Sequence, residues 1–396
     1  MTTNSKHHPN TRLLHDDRAV LHTKGAVNPP VHHVSTILFD TLDELVQSAS
    51  PDLPLGHTSY GIHGSTIQQA LAQAITTLEN GDDTIVTASG LMAVTLALSA
   101  VLESGDHLLM TDSVYGPTRR FCDQYLKSQN IEVSYYDPRI GEQISTLFKD
   151  TTKAIFLESP GSYTFEIQDI PAIAAAAQSK GITTLIDNTW ATPLYFKPLD
   201  HGIDISIHAA TKYFSGHSDV MMGSITANSK YYSRIHDHAM VFGNHAAPDD
   251  CYLVLRGLRT LPQRLGAHQL AGYKIAQWLD SRDEVEYVIH PGREDHPDHE
   301  LWKRDFSGAS SLFGFVLKRV EKTALANMLD NMSLFGMGFS WGGYESLLIP
   351  GYLSKLRTAT PWQGDGNIMR IHIGLENPDD LIADLHAGFE RLKQTI

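Results

Sequence analysis

The sequence predicts an α/β protein, with a mostly parallel sheet in a large domain followed by a small α+β C-terminal domain. Three observations predict it. Short β-branched runs alternate with helical stretches from about residue 65 to residue 211, the rhythm breaks at NHAAPDD near residue 245, and 396 residues exceed one ordinary compact domain. The boundaries that follow are an N-terminal arm over 1–57, a cofactor-sized α/β domain over 58–248 and an α+β domain over 249–396.

The arm is rich in His, Pro and Asp and lacks sustained periodicity, but its apolar island VHHVSTILFDTLDELV predicts ordered packing on another surface. STIQQALAQAITTLENG reads as a helix stopped by Gly81. DTIVTAS, HLLMTD, IEVSYYD, KAIFLES, ITTLIDN and ISIHAAT read as strands. LMAVTLALSAVLESG, GPTRRFCDQYLKSQ and PAIAAAAQSKG read as the helices between them. One long helical stretch runs from Asp249 to Arg282, and LFGFVLK, KTALANMLDNM and NIMRIHIGL supply the strands and helices of the last domain.

Apolar residues make up 42% and charged residues 19%, which supports buried cores and excludes wholesale disorder. A net charge of −14 disfavours nucleic acid, although a local field can still hold an anionic cofactor. Cys122 and Cys251 are too few for a disulfide framework and read as buried free thiols. The N-terminus has no apolar signal region, and no apolar run reaches the roughly 20 residues of a membrane span. A cytoplasmic protein is expected.

Ligands of open parallel sheets sit at the carboxyl ends of the strands. Ser89–Gly90, Asp112, Glu158–Ser159, Asp187–Asn188 and Thr211–Lys212 all fall there, and are expected to converge on one crevice. Gly90 opens a helix whose free N–H groups suit a phosphate, or it is only a turn. Asp187 caps the next element, or it pairs with a ring nitrogen of a flat cofactor. Lys212 is a solvated charge, or burial lowers its proton affinity and frees a nucleophilic amine. Tyr115 is an ordinary half-buried tyrosine, or its ring stacks on that cofactor.

Two further motifs compete for attention. Gly338-Phe339-Ser340-Trp341-Gly342 matches the GxSxG elbow of serine hydrolases, with Asp365 and His372 following in triad order, but a strand-to-helix context is lacking. His290, His296 and His299 fall in a polar loop where a metal is conceivable, and exposed surface histidines are the expectation there; no metal is expected.

DISIHAATKYFSGHSDVMMG resembles the lysine signature of the Cys/Met-metabolism family of pyridoxal-phosphate enzymes. ESPGS, IDNTWATPLYF, PDDCYLVLRGLRTLPQRL, SLFGMGFSWGGYESL and MRIHIGLE resemble the same family, in order, from about residue 25 to residue 390. SWGGYESL is closest to its β-eliminating branch, as distinct from γ-lyases and γ-synthases. The resemblance implies the pyridoxal-phosphate-dependent transferase-like fold type I, and a homotetramer in which each active site is shared across a dimer. The cofactor is pyridoxal 5'-phosphate, joined as a Schiff base to Lys212, which then moves the α-proton. Asp187 pairs with the pyridinium nitrogen, Tyr115 stacks on the ring, and Gly90, Leu91 and Thr211 hold the phosphate. Arg370 and Ser340 receive the substrate carboxylate with Trp341 close by, and Tyr60 reaches in from the neighbouring subunit.

The expected reaction is β-elimination of L-cystathionine to homocysteine, pyruvate and ammonia, a step toward methionine. The γ-synthase or γ-lyase reaction and cysteine desulfhydration are the near alternatives, and a serine hydrolase at Ser340 the remote one. One departure stands out: the family's Tyr-x-Arg, whose arginine clamps the partner's cofactor phosphate, reads here Tyr60-Gly61-Ile62. With His63 or Ser65 as the substitutes at hand, weaker cofactor retention is expected.

Overall fold

The computed structural model describes residues 7–15, 25–49, 57–353, 356–364 and 366–394. Within the arm, α1 (Pro9–His15) buries Leu13, and α2 (Leu42–Gln47) is capped by the Thr41 hydroxyl accepting from Glu44 N–H. The arm meets the body through Gly61 N–H donating to Ser35 O at 2.8 Å and through a Thr36–Tyr60 bridge. Leu13 packs into the cluster around α3 (Thr66–Glu79), whereas α2 buries none of its side chains and Leu38, Leu42 and Val46 are exposed. The left-handed stop of α3 falls one residue before the expected Gly81. Asn80 takes the left-handed conformation (φ 56°), and Gly81 follows it, donating its N–H to Thr76 O.

The large domain is built on β1 (Asp83–Thr87), α4 (Gly90–Val101), β2 (His107–Thr111), α5 (Gly116–Phe121), β3 (Glu132–Tyr136) and β4 (Thr152–Glu158). It continues through α6 (Ile170–Gln178), β5 (Thr183–Asp187), α7 (Thr192–Tyr195), β6 (Ile205–His208), β7 (Gly223–Ala227) and α8 (Ser229–Val241). The seven strands lie in the order β1-β7-β6-β5-β4-β2-β3, and those from β6 to β3 are parallel. The sheet is nevertheless mixed. β7 enters antiparallel between β1 and β6. Its sequence, GSITA, hides this: a glycine and two hydroxyl residues do not read as a central strand, yet all five residues are buried. The Thr226 hydroxyl is tolerated because it pairs with Thr84 at 2.8 Å, and Thr84 with Thr76 at 2.8 Å, whereas the buried Ser224 hydroxyl has no partner among the described residues.

Strand side chains alternate between two cores, one against α4 and α8 and the other against α6. The predicted helix 116–129 is helical throughout but irregular. A π-turn at Cys122–Leu126 and a 3-10 turn at Lys127–Gln129 follow α5. Cys122 and Cys251 are free and buried, as expected.

The stretch after residue 245 is two helices, α9 (Pro248–Leu258) and α10 (Leu261–Asp280), because Pro262 can only open a helix. Then come β8 (Val285–Ile289), α11 (His299–Asp305), β9 (Leu312–Leu317), α12 (Lys322–Leu329), β10 (Leu347–Pro350), β11 (Asn367–His372) and α13 (Pro378–Lys393). The strands form an antiparallel sheet, β10-β11-β9-β8, whose core is shared with α10, α12 and α13. The histidine loop departs from expectation: His290, His296 and His299 are buried, with exposures of 0, 5 and 9%. Each ring satisfies backbone. His290 Nδ1 accepts from Gly292 N–H and His296 Nδ1 from Asp298 N–H, while His290 also lies between Tyr273 and Phe313. Burial holds His290 at about 3 and His296 at about 4, so both rings are neutral.

Candidate active site

Immediately after β6 the chain turns, with Lys212 N–H donating to Ala209 O and Gly216 N–H to Lys212 O. The turn places the Lys212 side chain in the crevice between the two domains' sheets. Its Nζ donates to the Ser340 hydroxyl, and lies 5.3 Å from the centre of the Trp341 ring. Burial lowers its proton affinity, the Arg370 charge lowers it further, and Asp187 works the other way; the result is about 8 in place of 10.5. An amine so placed is partly neutral near physiological pH.

Asp187, at the end of β5, is the register partner of Glu158 at the end of β4. Both hydrogen bonds to the Asp187 carboxylate go to Oδ1, from the Thr189 hydroxyl at 2.5 Å and the Thr189 N–H at 3.0 Å. The same hydroxyl accepts from Ala209 N–H at 2.9 Å, so the carboxylate is aimed by a fixed relay while Oδ2 accepts nothing within the described chain. Burial raises the Asp187 carboxyl above its usual value, against the pull of Thr189, His208 and Lys212. Glu158 is raised well above the usual range by burial and by Asp187, and its Oε2 accepts from Tyr115 N–H at 2.8 Å. Tyr115 itself is half exposed, and burial, Asp187 and Glu158 raise its phenol.

An anion cradle lies beside this floor. Ser89 caps α4 by accepting from Met92 N–H, leaving the Gly90 and Leu91 N–H groups without an intrahelical acceptor at the positive end of the helix. Gly90 must be glycine: a Cβ there would stand 2.5 Å from Ala209 Cβ. Thr211 is less ready. Its hydroxyl accepts from Met222 N–H at 2.9 Å and donates to Met222 O at 3.1 Å, so giving a hydrogen bond to a phosphate requires it to turn.

Across the crevice, Ser340 has a left-handed backbone (φ 81°), and Arg370 on β11 donates to Ser340 O at 3.1 Å. No carboxylate among the described residues pairs with Arg370. Lys212, Asp187, Tyr115, Gly90, Leu91, Thr211, Ser340, Trp341 and Arg370 thus share one region, whereas Tyr60 sits half exposed just after the arm, beside the arm's Ser35. Asp112 does not join them. It is fully buried and spends its carboxylate on Arg119 and on the backbone of Thr358, Ala359 and Thr360.

The elbow reading fails on geometry. His372 accepts from Gly342 N–H rather than facing the Ser340 hydroxyl, and burial beside His268 holds it at about 3, too weak a base for the task. Asp365 lies outside the described residues. Sequence reasoning also passed over Thr189 and Tyr163. A hydroxyl two residues after a strand-end Asp, in DNT, was a signal for the first; nothing local marks the second.

The family model for Cys/Met metabolism PLP-dependent enzymes matches residues 10–390. The chain belongs to that family. Cystathionine β-lyase of Escherichia coli K12 is 42% identical over 96% of this chain and 98% of its own. An L-alanine/L-glutamate racemase of Wolbachia pipientis wMel is 39% identical over 93% of this chain and 94% of its own. A solved cystathionine γ-synthase from Xanthomonas oryzae pv. oryzae superposes with a TM-score of 0.89 at 30% identity, covering 98% of this chain and 100% of that one. The fold type I expectation therefore holds, with β7 as the antiparallel member of its large sheet.

The cofactor of this family, pyridoxal 5'-phosphate, fits the residues present. A partly neutral buried amine, a carboxylate with one free oxygen and a helix N-terminus closed to any side chain at Gly90 are the three groups that its aldehyde, ring nitrogen and phosphate require.

Proposed function

We propose that this enzyme is a pyridoxal-phosphate-dependent carbon–sulfur β-lyase that splits L-cystathionine to homocysteine, pyruvate and ammonia. The observation that carries the reading is the Lys212 amine, depressed to about 8 and held on Ser340, facing Asp187 on one side and the carboxylate-free Arg370 on the other. The 42% identity to a β-lyase over nearly the whole chain supports the choice within the family.

When bound, the cofactor supplies an aldehyde that condenses with amines and a cationic ring that accepts the electron pair left by a departing α-proton. Asp187 Oδ2, its orientation set by the Thr189 relay, would hold a proton on the ring nitrogen. Gly90 and Leu91 N–H groups would hold the phosphate, and Tyr115, tied at its backbone to Glu158, would offer its ring to the cofactor. Arg370 takes the substrate carboxylate as a planar donor fork. Lys212 Nζ, held by the Ser340 hydroxyl, would serve as the base that takes the substrate α-proton and as the acid that gives it to the sulfur as the β-carbon–sulfur bond breaks with its electrons. The Trp341 ring stands beside that amine, its centre 5.3 Å away.

The exposed Leu38, Leu42 and Val46 of the arm, with Tyr60 half exposed beside Ser35, support a homotetramer in which Tyr60 and the segment around Ile62 complete a neighbour's site. No helix among the described residues is long and apolar enough to cross a membrane, and a cytoplasmic enzyme is in keeping with that. Product analysis of the holoenzyme with L-cystathionine tests the reading. Pyruvate with homocysteine is expected; 2-oxobutyrate would assign γ-elimination. Interconversion of L- and D-alanine without keto-acid release would assign racemisation, which uses the same α-proton step and is the activity named for the Wolbachia relative.

A further inference from the structure

The segment between β4 and α6 contains two non-glycine residues in the left-handed region, Tyr163 (φ 66°) and Phe165 (φ 53°). An L side chain at such an angle is strained, and the strain persists only where surrounding contacts impose it. Those contacts are present. Ser162 N–H donates to Ser113 O at 2.8 Å, Gly161 N–H to Glu166 O at 3.0 Å and Phe165 N–H to Gly161 O at 3.0 Å. The buried Arg357 guanidinium then pins the far side, donating to the Thr164 hydroxyl and to Glu166 Oε1, each at 2.6 Å.

What this conformation achieves is the placement of one ring. The Arg370 guanidinium carbon lies 5.2 Å from the centre of the Tyr163 ring. On the β10–β11 side the ring abuts Gly351, where a Cβ would stand 2.8 Å from it. The ring is therefore wedged between the end of β10 and the arginine on β11. Arg370 has no carboxylate partner among the described residues. Burial lowers its proton affinity, and Tyr163 and Tyr115 oppose that. A long, flexible side chain with one hydrogen bond to Ser340 O would otherwise sample many rotamers; an aromatic face both attracts the cation and removes that freedom before substrate arrives.

We propose that Tyr163 is a positioning residue that holds Arg370 ready for a free α-carboxylate, and so makes the crevice selective for amino acids over their esters and amides. The inference rests on the reading of Arg370 under Proposed function. Tyr163 acts through the arginine and does not itself touch the reacting atoms.

The test uses the holoenzyme with Tyr163→Phe, Tyr163→Leu and Tyr163→Met, measuring kcat and KM for L-cystathionine, glycine binding by calorimetry, and turnover of S-methylcysteine against its methyl ester. Phe keeps the ring face and is expected to stay within about twofold of wild type. Leu and Met are expected to raise KM about tenfold, or about 1.4 kcal/mol, with kcat within about twofold. Glycine binding should weaken in parallel, and the ester should be unaffected. Unchanged KM and glycine affinity in Leu and Met would overturn the proposal, as would equal losses for acid and ester. If Leu and Met both fail to fold while Phe folds, the ring serves folding and the proposal also falls. Absence of keto acid from wild type would sink the lyase reading alone, since glycine calorimetry still reports on Tyr163.

Discussion

Replacing Asp112 by Asn tests the strap 356–360 that closes over the sheet domain. Oδ1 of Asp112 accepts from Arg119 Nη2 at 2.5 Å and Thr358 N–H at 2.9 Å; Oδ2 accepts from Ala359 N–H at 3.0 Å and Thr360 N–H at 2.8 Å. The Thr358 and Thr360 hydroxyls and the Arg357 guanidinium, 3.4 Å away, complete the set. Burial alone would raise this carboxyl; the N–H groups of Thr358, Thr360 and Ala359 and the Arg119 guanidinium override it and bring it to about 2 from 3.8. A carboxyl depressed that far contributes about 2.5 kcal/mol to stability. The sign is that of a lowered acid: the contribution is complete above pH 3.8 and disappears as pH falls through about 2. Asn removes the charge and turns an NH₂ toward N–H donors, leaving Arg119 buried without its anion. The expected cost is about 3–5 kcal/mol at neutral pH, because breaking a buried pair strands the partner charge. Urea unfolding of both proteins from pH 7 down to pH 2.5 measures it, and the gap should narrow at the acid end. A gap below about 1 kcal/mol at pH 7, or one that ignores pH, would refute the reasoning.

Two other perturbations bear on the crevice. Capture of pyridoxal phosphate by the apoenzyme needs the neutral Lys212 amine, so its rate should climb with pH and level off above about 8; stopped-flow absorbance would show this, and a midpoint near that of free lysine would contradict the burial argument. With Lys212 at about 8, the neutral fraction at pH 7 is about 300-fold that of an exposed lysine. Ile62→Arg should slow cofactor loss on dialysis by about tenfold, the lower end of what a charge-assisted hydrogen bond contributes. Equal loss would show that His63 or Ser65 already supplies the clamp.

Much of this architecture was legible because it is local. The strand–helix alternation follows from side-chain period, and the strand ends predicted Gly90, Glu158, Asp187 and Lys212 as crevice residues, which share one region in the fold. β7 escaped because a strand flanked by two others is buried on both faces, and its Thr226 finds a hydroxyl partner, Thr84, that no neighbour in sequence reveals. The histidine loop escaped for a related reason: polarity argued for exposure, yet each ring was buying its burial with a backbone hydrogen bond.

Asp112 shows where strand-end reasoning stops. It stands at the end of β2 like its crevice counterparts, but beyond Arg119 the backbone N–H groups that hold it come from residues 246 to 248 positions away. Which strand-end carboxylate faces a cofactor and which anchors the second domain depends on the chain that arrives much later. Tyr163 poses the same problem more sharply, since nothing in YTFE announces a left-handed tyrosine. The cause lies at Ser113, Arg357 and Gly351, three places that meet only once both domains are folded. Gly90, Asp187 and Lys212 sit at the sheet's own strand ends, where pattern reveals them. Thr189, which aims Asp187, is two residues away in sequence, but Tyr163 meets Arg370 across the domain boundary, and a tertiary contact is its only signature. Substitutions that spare every strand end but alter residues 351–360 are therefore expected to disturb the crevice through aim rather than through chemistry.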